Sequence, residues 1–133
     1  MTRVALRDGL FTFGGDSAEA RLLASRCSAC GCHVFPVQEL CPYCGATDSA
    51  TVELQPYGVV EVCTTVVNRP PGYEGQLPFG FGVVELPEGL RLISRLRNVE
   101  HMEPGSKVRL VLEAIATDSA GREVVTYAFE PTV

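Results

Sequence analysis

The sequence is poor in the residues on which many functions depend. It has one lysine, Lys107, and its arginines are scattered apart from a single run. With 11 basic against 16 acidic residues its formal net charge is −5. Nucleic-acid binders carry basic surfaces that displace counterions from phosphates, so this balance argues against a nucleic-acid partner. Two histidines are present, His33 and His101, and neither lies in an acid–base or nucleophile motif. Catalysis by this chain alone is therefore not expected. No apolar run approaches the ~20 residues that span a bilayer, so no membrane partner is expected. The opening residues, M-T-R-V-A-L-R-D-G, contain no apolar h-region; the expected setting is the reducing cytoplasm. Internal repeats and low-complexity runs are absent.

Cysteine, by contrast, is plentiful and patterned. Cys27 to Cys44 reads C-S-A-C-G-C-H-V-F-P-V-Q-E-L-C-P-Y-C, which is C-x2-C, ten residues, then C-x2-C. Each pair brings two sulfurs to one side of a backbone turn, and four thiolates close the tetrahedral shell of Zn²⁺. Such a shell leaves no position for water, so the expected ion is structural, one Zn²⁺ per chain on Cys27, Cys30, Cys41 and Cys44. Gly31 and Gly45 follow the second cysteine of each pair, where a positive φ turns backbone N–H groups toward sulfur. In a reducing compartment this spacing favours metal over cystines. A ribbon of this size cannot bury a useful core, so metal would supply much of its folding free energy. His33 is a spare ligand to a shell already filled and is read, like His101, as a surface imidazole. Cys32 cannot replace Cys30 without rebuilding the turn, and Cys63 reads as a small hydrophobe within a strand.

Residues 1–20 are weakly patterned and read as an N-terminal extension. Asp16 to Glu19 resembles a capping box, and Ala20 to Arg26 reads as a strand leading into the first cysteine pair. Residues 21–51 form the ribbon, in which Phe35-Pro36 is expected over the sulfurs and Ala46 to Thr51 as a polar linker. From residue 52 to 133 the pattern is β throughout. Strands are expected over Tyr57 to Asn68, Phe79 to Leu86, Leu90 to Leu96, Lys107 to Thr117 and Glu123 to Glu130, separated by Pro/Gly-rich turns. Five strands in one small module, without a convincing helix, indicate a Greek-key barrel of the OB-fold type. The helix that usually joins its third and fourth strands would shrink to Asn98 to Gly105.

Two stretches carry candidate binding residues. In L-R-L-I-S-R-L-R, alternation places Arg91, Arg95 and Arg97 on one face with Ile93, while Leu90, Leu92 and Leu96 point inward. Three guanidiniums there could grip phosphates bidentately; the alternative is a solvated outer face paired with glutamates such as Glu85 and Glu113. The Pro/Gly-stiffened loop from Arg69 to Phe81 presents Tyr73, Phe79 and Phe81, which suits either docking or an ordinary barrel crossover.

These residues also resemble a known family. S-R-C-S-A-C-G, then V-F-P, then C-P-Y-C-G, followed by P-F-G-F-G-V-V-E-L-P-E-G-L-R-L, is similar to the Domain of Unknown Function 35 family over Arg21 to Phe129. The sequence departs from the family in reading F-P-V-Q where F-P-P-R is common, and in the extra Cys32. The resemblance implies a rubredoxin-like zinc ribbon plus a C-terminal OB-fold, in a non-catalytic subunit that docks on a thiolase-fold enzyme and helps form its CoA-thioester site. The L-P-E-G-L-R turn most resembles members that accompany thiolases, including the benzoylsuccinyl-CoA type of aromatic degradation. Other members pair with acyl-CoA hydratases or aldolases. On this reading Arg91, Arg95, Arg97, Tyr73, Phe79 and Phe81 are candidates for CoA or the partner's surface; a nucleic-acid module is the remaining alternative.

Overall fold

Alternation of buried and exposed residues sets the architecture. In Tyr57–Val66, Phe79–Glu85 and Arg91–Leu96 every second side chain goes to the interior at the start of the strand, the pattern of a sheet with one wet face. The computed structural model describes residues 3–7, 9–12, 20–72 and 77–132. Its strands are β1 (Arg3–Ala5), β2 (Leu23–Cys27), β3 (His33–Val34), β4 (Ser49–Glu53), β5 (Tyr57–Val66), β6 (Phe79–Glu85), β7 (Arg91–Leu96), β8 (Lys107–Thr117) and β9 (Glu123–Pro131). The capping-box segment Asp16 to Glu19 lies outside the described residues.

The fold is mostly β. The last five strands close on themselves in the order β5–β6–β7–β9–β8 and back to β5. Every junction is antiparallel except β7–β9, which is parallel. This is the expected five-stranded OB-fold barrel. A single turn of 3-10 helix, Val99–His101, stands where the usual helix would be. Closure requires the long strands to bend, and register shifts provide the bends between Val60 and Val62 in β5 and between Ala114 and Ala116 in β8. Gly80 and Gly82 let strands approach still closer. A Cβ on Gly82 would collide with the Val62 carbonyl and meet Leu96 Cδ1 at 2.9 Å.

The ribbon is a second, three-stranded sheet in the order β3–β2–β4. The expected strand before the first cysteine pair is present as β2. The expected linker from Ala46 to Thr51 is not wholly a linker. Its last residues enter β4, which pairs along all of β2 from Leu23↔Glu53 to Cys27↔Ser49. Alternation was invisible there because both faces of β4 are half-buried or exposed.

One core serves both sheets. Phe11, Leu22, Ala24 and Leu54 from the ribbon side cluster with Val60, Val84, Leu92, Val108, Leu110, Val125 and Phe129 of the barrel. Phe35 joins this core at its edge and meets the Tyr127 ring edge-on, with centroids 5.5 Å apart. The sequence led us to expect Phe35 over the sulfurs; the structure instead shows it packed on the barrel, where an aromatic partner is available. Residues near the N-terminus also take part. β1 adds to β9 in parallel, Arg3↔Glu123 to Ala5↔Val125, and Phe11 bridges to Leu22.

The close approach at Gly82 yields a test. Gly82→Ala is expected to lower the stability of the barrel by about 2 kcal/mol, because backbone rather than a flexible side chain must yield. Urea denaturation should show a lower midpoint at unchanged slope; an unchanged midpoint would mean that β5 and β6 are not packed this closely.

Candidate metal centre and binding face

The two cysteine pairs are built alike. In the first, the Gly31 N–H donates to the Cys27 carbonyl at 2.8 Å and the Cys27 N–H to the Cys32 carbonyl at 3.0 Å. In the second, Gly45 donates to Cys41 at 2.9 Å and Cys41 to Ala46 at 2.9 Å. Gly31 and Gly45 have φ of 77° and 76°, the left-handed region that favours glycine. Within each pair the first cysteine is buried and the second exposed.

The four sulfurs of Cys27, Cys30, Cys41 and Cys44 lie within 4.8 Å of one another. Across the pairs, Cys27 Sγ and Cys44 Sγ are 3.5 Å apart and Cys30 Sγ and Cys41 Sγ 3.6 Å. A tetrahedron with bonds of ~2.3 Å has edges of about 3.8 Å, so the quartet fits a thiolate-bound ion, and both distances exceed the ~2.05 Å of a disulfide. The electrostatics agree. The Cys27 thiol is lowered to about 7, chiefly by the Cys30 backbone N–H. At Cys44 the Ala46 N–H pulls downward, but the Cys27 sulfur, burial, and the Cys30 and Cys41 sulfurs outweigh it and raise the thiol to about 12. One thiolate forms readily; further negative charge beside it calls for a cation. Cys32 and His33 stay outside the quartet. Cys63 is half-buried against the core, its thiol directed to the Met102 carbonyl at 3.8 Å.

The arginine run behaves as the glutamate-paired alternative described. Arg91 Nε lies 3.1 Å from Glu61 and 3.4 Å from Glu85. Arg95 Nη2 lies 3.4 Å from Glu113, with its guanidinium 4.6 Å above the centre of the Phe79 ring. Arg97 follows the end of β7 and points to Glu130 at 3.9 Å. A phosphate bound among them would compete with these carboxylates. Phe79, Arg95 and Arg97 do line one cavity of about 330 Å³, shared with Glu100 and Glu113. Arg91 and Phe81 are not part of it, and Tyr73 lies outside the described residues.

What sequence reasoning missed is the apolar centre of this outer face. Cross-strand register places Val62 opposite Val83, and Val83 opposite Ile93, with Phe81 in the next outward row. Val62 and Ile93 are 55% and 58% exposed. The ion pairs of Arg91 and Arg95 stand at either end. Ile93 was legible as outward-facing; Val62 was not, because the shift after Val60 changes its face.

Comparison with known proteins adds to this geometry. The family described as "ChsH2, rubredoxin-like zinc ribbon domain" matches residues 18–49, and "ChsH2, C-terminal OB-fold domain" matches 51–113. A "DUF35 domain-containing scaffold protein" of Pyrococcus furiosus is 30% identical over 85% of both chains. A "Probable enoyl-CoA hydratase alpha subunit" of Thermomonospora curvata is 33% identical over 96% of this chain, which spans 38% of that subunit's length. "Benzoylsuccinyl-CoA thiolase subunit BbsA" of Thauera aromatica is 27% identical over 86% of this chain and 78% of its own. Among solved structures, "Ltp2-ChsH2(DUF35) aldolase" superposes with a TM-score of 0.64 at 31% identity, covering 85% of this chain and 86% of its own.

The quartet is expected to take up one cobalt(II) per chain, with the intense visible absorption of tetrahedral thiolate coordination. Cys41→Ser should abolish that spectrum and unfold the ribbon. A ribbon that keeps its amide dispersion without any metal would contradict a structural centre.

Proposed function

Because this chain belongs to the DUF35 family of scaffold proteins, we propose that it is a non-catalytic accessory subunit of a thiolase-type acyl-CoA enzyme, docking on the catalytic subunit and helping to shape its CoA-thioester site. The observation that carries the docking is the outer face of β5, β6 and β7. Val62, Val83, Ile93 and Phe81 make an apolar centre, and the rim arginines are already neutralised by Glu61, Glu85 and Glu113. An apolar centre inside a polar rim is the anatomy of a protein interface. A rim that balances its own charge suits a partner surface that is itself largely neutral.

Zn²⁺ is the ion assigned to Cys27, Cys30, Cys41 and Cys44. Its filled shell would hold the ribbon's two turns together and offer no position to substrate. Phe79, Arg95 and Arg97, around their shared cavity, are the candidates for contact with the partner or with CoA. The thiolase class rests on likeness to a thiolase subunit. The alternative, a hydratase or an aldolase partner, draws on relatives of higher identity named for those enzymes. The proposed setting is the cytoplasm.

Affinity purification of the tagged chain from its own cells should recover a catalytic subunit acting on acyl-CoA thioesters, and Ile93→Asp should cost at least about tenfold in affinity for that purified subunit. Raising salt should leave the complex intact, since its core is apolar. Recovery of no such enzyme would end the accessory-subunit reading. Retained binding by Ile93→Asp would move the docking surface elsewhere.

A further inference from the structure

Five of the six cysteines lie between Cys27 and Cys44, and the metal quartet accounts for four of them. The fifth, Cys32, follows Cys30 across a single glycine. It stays outside the quartet, yet its place is fixed, because its carbonyl accepts the Cys27 N–H at 3.0 Å. Cys30 is exposed and Cys32 half-buried. Both line one cavity of about 400 Å³ with Gly31 and Tyr43. That cavity is open to solvent, since Cys30, Gly31 and Tyr43 on its wall are all exposed. Cys27 and Cys41, by contrast, are buried. Solvent therefore meets ligand sulfur at Cys30 and Cys44, and Cys30 shares its cavity with a thiol that is not a ligand.

The backbone permits these two cysteines to be joined. A disulfide tolerates Cα atoms about 4.4–6.8 Å apart. Two consecutive Cα–Cα steps of about 3.8 Å fall within that range once the chain bends between them, and Gly31, with φ of 77°, supplies the bend. Nothing stands within 4 Å of a Cβ built on Gly31, so the turn has both the space and the glycine freedom to readjust.

We propose that Cys30-Gly31-Cys32 is an oxidation site, a dithiol that hydroperoxides convert to a disulfide, withdrawing Cys30 from the metal shell. The Cys30 sulfur attacks the peroxide; an S–O bond forms, the O–O bond breaks and hydroxide leaves. Cys30 becomes a sulfenic acid, oxidised by two electrons, and the peroxide is reduced. The Cys32 thiol then attacks the Cys30 sulfur. The S–S bond forms, the S–O bond breaks, and the departing hydroxide takes the Cys32 proton as water. Cys32 suits this second step because no ligand role holds its sulfur. Cys27, Cys41 and Cys44 must first leave the shell, and Cys63 lies in the barrel, directed to the Met102 carbonyl at 3.8 Å. Three sulfurs no longer close a tetrahedral shell. The ribbon's two turns then come apart, while β2 and β4 keep their pairing and their contacts with the shared core. In a reducing compartment such a disulfide is transient, which suits a reversible signal. This chemistry is independent of which enzyme the chain accompanies.

The test treats the purified, metal-loaded chain with hydrogen peroxide and follows zinc release with a colorimetric chelator. Zinc should leave in step with the loss of two thiols. Alkylation followed by cleavage at Glu39 separates Cys27, Cys30 and Cys32 from Cys41 and Cys44. The first fragment should carry the disulfide, with its Cys27 alkylated. Cys32→Ser should bind cobalt(II) with an unaltered spectrum, release zinc roughly tenfold more slowly and accumulate a dimedone-reactive sulfenic acid at Cys30. Cys63→Ser should behave as the parent chain, and dithiothreitol with added zinc should restore the metal-bound state. Zinc loss from Cys32→Ser at the parent rate overturns the proposal. So does a first disulfide between Cys27 and Cys44 or between Cys30 and Cys41, or a changed cobalt spectrum in Cys32→Ser, which would make Cys32 a ligand. A parent chain that holds no zinc before treatment overturns the metal assignment instead, and the disulfide map then decides the dithiol by itself.

Discussion

Everything in this molecule depends on one hydrophobic core being shared by two sheets. A ribbon of three short strands cannot exclude water from its own interior. Here Leu22, Ala24 and Leu54 cluster with Val84, Val108 and Phe129 of the barrel, so the ribbon is completed by its neighbour. The chain crosses between the sheets at Leu54, which is 1% exposed and donates its N–H to the Leu22 carbonyl at 2.9 Å. One residue later the Gln55 N–H is taken by the Glu88 carboxylate at 2.8 Å, from the turn between β6 and β7. A crossing held by packing on one side and a charged acceptor on the other gives the two sheets a defined relation. The cysteine quartet and the outer face of the barrel are thereby presented at set positions on a single body.

Much of this was legible in the chain itself. The cysteine spacing located the quartet because ligand geometry is local: two residues between sulfurs and a glycine after them define a turn whatever surrounds it. The barrel strands were legible because Pro-Glu-Gly and Glu-Pro-Gly turns interrupt runs of strict alternation. β4 was not, since neither of its faces is fully buried. Charge pairing was readable in part, and both glutamates expected beside the arginine run, Glu85 and Glu113, pair with it. Glu85 and Arg91 sit opposite each other across a tight hairpin, and that pairing could be foreseen. Glu130 serving both Arg97 and Arg109 could not, because it requires β9 to lie between β7 and β8, a topological fact with no mark in local composition.

The same contrast separates the arginine run as it reads in sequence from its setting in the barrel. In sequence the three arginines look like a cluster of like charge. In the barrel each meets carboxylates from strands distant in the chain, and the outer face becomes an apolar centre within a balanced rim. Composition alone reports the sum of charges; recognition depends on where that sum fails to cancel locally.

The small parallel strand β1 has a role that its length conceals. Beyond the closed part of the barrel, β8 and β9 continue together as an arm, and Glu123, Val124 and Val125 of β9 have β8 on one side and Arg3, Val4 and Ala5 on the other. An exposed strand margin is a template for unwanted pairing between molecules. The opening residues of the chain thus act as a guard rail on the last strand. A version of this protein beginning at the ribbon would keep its quartet and its barrel, yet offer Val124 and Val125 as an unguarded margin to its own copies.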